Sequence, residues 1–481
     1  MKYCMTQHRS KLVRAAVLAL AVPAFLAGCA IGPDYQRPAI DVGTAYKEHR
    51  DWKPAQPQDE LIRGKWWEVF GDADLNALAA QIDVSNQNLK AADARYRQAA
   101  TLVQSARSGF FPSFSASTAA TRSRAASRGG PDPDAATAYR AAISAAWEVD
   151  VWGRVRRQLE SSSASAEASR ADLEAVRLSL QSELAINYFQ LRVTDQQKQL
   201  LDDTVAAYRR SLDLTTNRYN VGVAAKGDVV QAQAQLRSTE AQALDLGVTR
   251  AQLEHAIATL IGKAPSAFSL AQKPFTLKMP RMPLGMPSTL LERRPDIAAA
   301  ERRVTAANAQ VGVAMAAYFP TLSLTGAVSQ NSSAWSNLFS AANRSWSLGP
   351  ELAVTLLDFG KRSAATDSAL AAYDQTVATY RQTVLDALQE VEDNLVALRI
   401  LEEEAVVQAD AVKLARESVL LTTNQYKAGT VSYLNVVTVQ ASQLANERTA
   451  VSLLGRQLTA AVGLIRALGG GWTASELAEQ K

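Results

Sequence analysis

Cysteine is almost missing from this chain. Only Cys4 and Cys29 occur among 481 residues, so there is no disulfide framework and no thiolate metal cluster. Histidine is nearly as scarce, with His8, His49 and His255 alone. His49 and His255, the two that lie beyond the N-terminal leader described below, belong to no metal-spaced or catalytic grouping, which argues against an anchored enzyme. The formal charge of +4 comes from Lys2, Arg9, Lys11 and Arg14. Without them the chain is near neutral, and nothing in it calls for nucleic acid. Long apolar runs are lacking as well: Ala15 to Phe25 falls short of the ~20 residues a spanning helix needs.

What the chain does have is self-similarity. Asn217-Arg218-Tyr219-Asn220-Val221-Gly222 returns as Asn424-Gln425-Tyr426-Lys427-Ala428-Gly429, about 207 residues later. Trp152-Gly153-Arg154 returns as Phe359-Gly360-Lys361 at the same offset, and Phe111-Pro112-Ser113 as Phe319-Pro320-Thr321, one residue out of step. Solenoid units repeat every ~20–50 residues. This is instead a duplicated half-protein, with repeat 1 over 73–262 and repeat 2 over 295–468, and two like halves suggest pseudo-symmetry about an axis.

The N-terminus reads as a secretory leader over 1–28, with a basic start, an apolar run and small residues before Cys29. Leu26-Ala27-Gly28-Cys29 resembles a bacterial lipobox, which implies a covalent lipid on Cys29; no cofactor is expected besides it. Ala30 in the next position resembles the outer-membrane sorting pattern.

Between its landmarks the chain is rich in helix formers, with few prolines or glycines. Leu173, Val176, Leu180, Leu184, Tyr188 and Leu191 fall at steps of three and four, as do Val384, Leu388, Val391, Leu395 and Leu398. These spacings predict two rods, about Val155–Tyr219 and Ser363–Tyr426, each roughly 95 Å long at ~1.5 Å per residue. Such rods suit coiled coils or long bundles. Shorter helices about Ala73–Ser108 with Asp228–Ile261, and Pro295–Ala316 with Val436–Ala467, are expected beside them. A soluble periplasmic coiled-coil scaffold accounts for the helices equally well.

Four alternating segments separate those readings. Strands are expected at about 112–122, 138–149, 319–330 and 346–357, each with one polar and one apolar face, as transmembrane β-strands read. Phe111, Trp152, Phe319 and Phe359 stand at their ends, where an interfacial aromatic girdle belongs. Four strands cannot close a barrel, and open edges in hydrocarbon cost several kcal/mol per unpaired group. The chain must therefore oligomerise if the strands span a membrane; three copies give a twelve-stranded barrel, although the pattern does not itself select three over two.

Several motifs occur in order: Ile31-Gly32-Pro33-Asp34-Tyr35, Trp66-Trp67, Asp150-Val151-Trp152-Gly153-Arg154, Arg293-Arg294-Pro295-Asp296-Ile297 and Tyr318-Phe319-Pro320. Together they resemble the TolC-like outer-membrane factors, in their NodT-type lipoprotein branch. The resemblance implies an α+β membrane protein: a homotrimeric outer-membrane β-barrel continued by a long α-helical coiled-coil tunnel across the periplasm. It implies an equatorial domain from 29–72, the link 263–294 and 469–481. The implied function is the exit duct of a tripartite efflux pump, with a periplasmic adaptor (a membrane fusion protein) and an inner-membrane transporter of the RND class as partners, and outer-membrane lipid around the barrel. It further implies a periplasmic tip closed where helix pairs turn, at Asn220–Asp228 and Lys427–Asn435, around Gly222 and Gly429. Adaptor contact is expected at Val223–Lys226 or Thr430–Ser432. The family's polar or acidic ring falls here on Asn435 and Thr438, neither a carboxylate, so Asp228 is the alternative source of charge, unless it only caps its helix. Tyr426 matches a tyrosine that bonds across the closed tip, and Tyr219 is its internal copy.

Overall fold

The computed structural model describes residues 30–40, 47, 64–124, 134–273 and 293–472. Cys29 and the leader lie outside these residues, as do Pro274, Pro280, Pro283 and Pro287 of the inter-repeat link. The elements follow the duplication: α1 (Ala73–Ser85), α2 (Gln87–Ser108), β1 (Ser113–Ser123), β2 (Ala136–Val149), α3 (Arg154–Asn220) and α4 (Lys226–Leu260), then α5 (Pro295–Ala316), β3 (Thr321–Ser332), β4 (Arg344–Ala353), α6 (Lys361–Lys427) and α7 (Tyr433–Ala467). Among the described residues no helix is long and apolar enough to cross a membrane.

The expected single helix over 73–108 is two. Asn86 interrupts it because its side chain does capping work: Oδ1 accepts Leu89 N–H at 2.9 Å and Nδ2 donates to Leu260 O at 2.7 Å. That satisfies an otherwise orphaned donor at the start of α2.

The chain divides into two compact units. The first comprises residues 1–39, 95–169 and 299–380. It holds a four-stranded antiparallel sheet in the order β1-β2-β3-β4, so β1 and β4 are open edges within one chain. Partners in an antiparallel ladder share a face. The register therefore puts Phe114, Ala145, Gly326 and Leu348 on one face, with Ala116, Ile143, Val328 and Trp346 in the next row. The other face carries Ser115 with Ser144 and Ser329 with Ser345, each hydroxyl pair 2.8 Å apart. Strand β4 stops at Ala353, short of the expected 357, because its partner begins at Thr321 after Pro320 and offers nothing further to pair with. Val354 and Leu356 beyond it are 49% and 88% exposed.

The N-terminal segment is threaded into the same unit. Ile31 N–H donates to Trp152 O, Arg157 donates to the carbonyls of Ile31 and Gly32, and Asn308 Nδ2 donates to Pro33 O at 2.9 Å. Gly32 adopts φ 102 with its backbone against Gly312, and a Cβ there would lie 2.5 Å from Gly312 Cα.

The second unit comprises residues 40–94, 170–298 and 381–481. Its core takes in the helix stripes expected from the sequence: Leu180, Leu184, Tyr188 and Leu191 on α3, and Val384, Val391 and Leu395 on α6, are buried. Phe70 packs on Phe189 with ring centres 4.8 Å apart. Arg192, 2% exposed in its side chain, ties the unit together, donating to Ala271 O at 2.8 Å and to Asp74 at 2.9 Å. A buried guanidinium needs that full set of acceptors to offset its desolvation.

Candidate functional site

In the second unit α3 and α6 end in the same way. Gly222 N–H donates to Tyr219 O at 2.9 Å and Val223 N–H to Arg218 O at 2.8 Å; Gly429 N–H donates to Tyr426 O and Thr430 N–H to Gln425 O, both at 3.0 Å. This pair of bonds is a Schellman closure, which requires a left-handed residue just past the helix. Gly222 and Gly429 provide it, with φ 78 and 79, and a Cβ at either would be strained.

The following helices start from the third residue inward. The Asp228 carboxylate accepts Ala225 N–H at 3.3 Å, and Ser432 Oγ donates to Asn435 Oδ1 at 3.2 Å. Asp228 is thus a capping carboxylate at a helix N-terminus, where negative charge is favoured. Asn435 and Thr438 are exposed, and Thr438 Oγ1 donates to Leu434 O within its own helix at 2.9 Å.

The two internal copies of the tyrosine differ sharply. Tyr426 is 4% exposed, Tyr219 is 40% exposed. The Tyr426 ring packs on Tyr433 with centres 5.4 Å apart, and the Arg218 guanidinium lies 4.7 Å from its centre. Arg218 Nη1 also donates to Lys427 O at 2.9 Å. The Ser211 and Tyr433 hydroxyls lie 3.2 Å apart, and Ala232 and Val436 complete the apolar cluster. Burial pushes the Tyr433 hydroxyl pKa up, partly opposed by its bond to Ser211. Tyr219 instead faces Lys226 Nζ, 5.4 Å from its ring. Two polar groups here have no hydrogen-bond partner among the described residues, Tyr426 Oη and Arg218 Nε. Arg218, Ser211 and Tyr433 were not singled out from the sequence. The signal was there in the repeat itself, where Arg218 returns as the neutral Gln425.

Of the four expected girdle aromatics, the fold brings two together. Trp152 and Phe319 stack at 4.9 Å, and Trp152 Nε1 donates to Pro320 O at 2.7 Å. Phe111 and Phe359 are 65% and 92% exposed. Phe359 also holds a left-handed backbone, φ 51, which is unusual for an aromatic residue. Cys29 is outside the described residues, but its neighbour Ala30 lies against Gly153, where a Cβ would come 2.7 Å from Ala30 Cα. No group of side chains among the described residues is arranged to hold a metal.

The family model described as "Outer membrane efflux protein" matches residues 78–263 and 286–470, one segment for each half. The chain is 32% identical over 441 residues to the pyoverdine export outer membrane protein OpmQ of Pseudomonas aeruginosa, covering 90% of this chain and 93% of that one. It is 30% identical over 464 residues to the toluene efflux pump outer membrane protein TtgC of Pseudomonas putida, covering 95% and 96%. The solved structure of the outer-membrane channel OprN superposes with a TM-score of 0.85 at 33% identity, covering 92% of this chain and all of that one.

Proposed function

The chain belongs to the outer membrane efflux protein family, and from that premise we propose that it is the outer-membrane exit duct of a tripartite pump. It conducts passively, from a periplasmic adaptor and an inner-membrane transporter of the RND class to the cell exterior. Three copies form the duct, each giving four strands to one barrel, with an acylated Cys29 as a second membrane anchor.

The sheet carries this reading. It has one apolar and one polar face and two unpaired edges, a combination tolerated in hydrocarbon only if other copies close the ring. The duplication supplies the register. The β2–β3 pairing, moved along by the repeat offsets of about 207 and 208 residues, sets β4 against β1 of the next copy. Val354 then faces Ala116, and Leu356 faces Phe114. The same shift turns the Trp152–Phe319 stack into a Phe359–Phe111 pair across the seam, so both exposed girdle aromatics gain a partner. Association of copies is supported independently by α6, where Ile400, Val407, Leu414 and Leu421 are 46%, 70%, 63% and 55% exposed. A seven-residue apolar repeat left open to solvent is a helix-packing seam.

The turn cluster around Tyr426 forms the closed tip, with Asp228, Tyr219, Asn435 and Thr438 nearby in sequence, and partner engagement opens it. The relatives' names link one to pyoverdine and another to toluene; we infer that cargo is set by the transporter that loads the duct. The test is reconstitution of detergent-extracted protein in planar bilayers. Stepwise conductance from a stable oligomer is expected, and a monodisperse detergent-free monomer would overturn the reading.

A further inference from the structure

We propose that the loop-end rim of the apolar sheet face binds the phosphates of an outer-leaflet glycolipid, in a site made by Arg122 of one copy and Arg344 of the next. This rests on the duct reading above.

The apolar face of the sheet is almost free of charge. Over the described strands it carries two charged side chains, Arg122 and Arg344, whereas the polar face carries both signs, as Arg140, Glu148 and Glu351. The two arginines share one end of the sheet. Every helix joins at the other end, since α2 precedes β1, β2 leads into α3, α5 precedes β3 and β4 leads into α6. Arg122 is one residue from the end of β1, and Arg344 opens β4. Both are exposed, and neither guanidinium has a partner among the described residues. Arg124, just past the end of β1, is exposed as well.

An unpaired arginine facing lipid is tolerated only near an interface, so the pair marks headgroup level. The aromatics mark the same level. Tyr139, on the apolar face near the loops, packs on Trp335 with ring centres 5.7 Å apart, and Trp346, 77% exposed, stands two residues from Arg344 on that face. Tyrosine and tryptophan collect where hydrocarbon gives way to headgroups.

Within one chain the two arginines lie on opposite edges of the sheet. Across the seam between copies they come to one edge. Ala141 pairs with Gln330; moved by the repeat offsets of about 207 and 208 residues, that pair becomes Leu348 with Arg122 of the next copy. Trp346 is then the diagonal neighbour of that arginine. Arg344 lies four strand residues beyond Leu348, about 13 Å at ~3.3 Å per residue. Arginine grips a phosphate through two parallel bonds. Two guanidiniums at this spacing suit a headgroup with a phosphate at each end of a disaccharide, and a lipid with a single phosphodiester satisfies only one of them. Three seams give three such sites per trimer.

The test is native mass spectrometry of delipidated trimers titrated with purified diphosphoryl lipid A. Wild type should take up three molecules per trimer, with monophosphoryl lipid A and phosphatidylglycerol at least about tenfold weaker. Arg122→Gln with Arg344→Gln should weaken diphosphoryl lipid A at least about tenfold, and either single change about threefold, with trimers and bilayer conductance as in wild type. Arg140→Gln, on the polar face, should bind within about twofold of wild type. The proposal is overturned if the double variant binds as wild type does, if Arg140→Gln loses as much as the double variant, or if phosphatidylglycerol binds wild type equally well. Wild-type protein that forms no trimers or never conducts would remove the duct reading itself, and this proposal with it; conducting trimers that fail the lipid comparison remove this proposal alone.

Discussion

Arginine at Leu324 and at Ser323 should have opposite consequences, although the two positions are adjacent. Leu324 lies on the apolar face, across from Trp147 and Pro350; Ser323 lies on the polar face, across from Glu148 and Glu351. An arginine facing lipid near the bilayer midplane costs ~2–4 kcal/mol. With one substitution per chain and Leu324 near the midplane of the proposed trimeric barrel, Leu324→Arg costs about three times that amount, roughly 6–12 kcal/mol, which is comparable to the whole stability of an ordinary domain. The arginine of Ser323→Arg instead enters water beside two carboxylates. Exposed ion pairs contribute ~0–1 kcal/mol, so this variant should fold within ~1 kcal/mol of wild type or slightly better. Urea titration of folding into lipid vesicles, scored by the heat-resistant oligomer on denaturing gels, reads both. Equal loss at the two positions would refute the assignment of faces and favour a soluble sheet.

Cys29→Ala should abolish metabolic labelling by a tagged fatty acid while oligomers still reach the outer membrane, because the proposed barrel would hold them without the lipid; persistent labelling would refute lipidation at this residue. Tyr426→Phe keeps the ring beneath Arg218 and removes a hydroxyl with no partner among the described residues, so stability should change by under ~1 kcal/mol. Tyr426→Ala empties a buried ring site at a cost of ~3–5 kcal/mol and should raise bilayer conductance; equal effects of Phe and Ala would locate closure elsewhere. The Asp74 carboxyl is held below its ordinary value of 3.8 by its bond to Lys273 first, against some desolvation, with Arg192 adding to the effect. A lowered folded pKa gives stability that is present above that ordinary value and lost as pH falls through the folded one. The penalty of Asp74→Asn should therefore be full at neutral pH and shrink only below about pH 4 in urea titrations; a penalty that grows in acid would contradict it.

The long helices and the strand faces were legible because periodicity survives any tertiary context that buries one side. Leu184 and Val391 are buried where their spacing puts them. The break at Asn86 was not legible, since it depends on a cap to Leu260 O, a residue far along the chain. Nor was the end of β4, which is set by where its partner starts rather than by its own alternation. At the tip, Gly222 and Gly429 were readable as turn residues because few other side chains accept their backbone. Tyr426 was matched by family pattern, but Arg218 reaches it, and Ser211 reaches Tyr433, only through packing of separate hairpins. The most informative traces in the sequence were the mismatches between copies, Arg218 against Gln425 and Tyr433 against Lys226, which self-similarity alone hides.

In the proposed duct, closure of one barrel between copies is the step on which conduction depends, and a thiol pair tests it directly. Val354→Cys and Ala116→Cys, placed in one chain, face each other only across the β4–β1 seam of neighbouring copies. Mild oxidation in outer-membrane vesicles should give a covalent ladder ending at three subunits, and pairing Val354→Cys with Thr118→Cys should crosslink less well. A ladder ending at two, or crosslinking confined to single chains, would contradict a barrel closed by three copies.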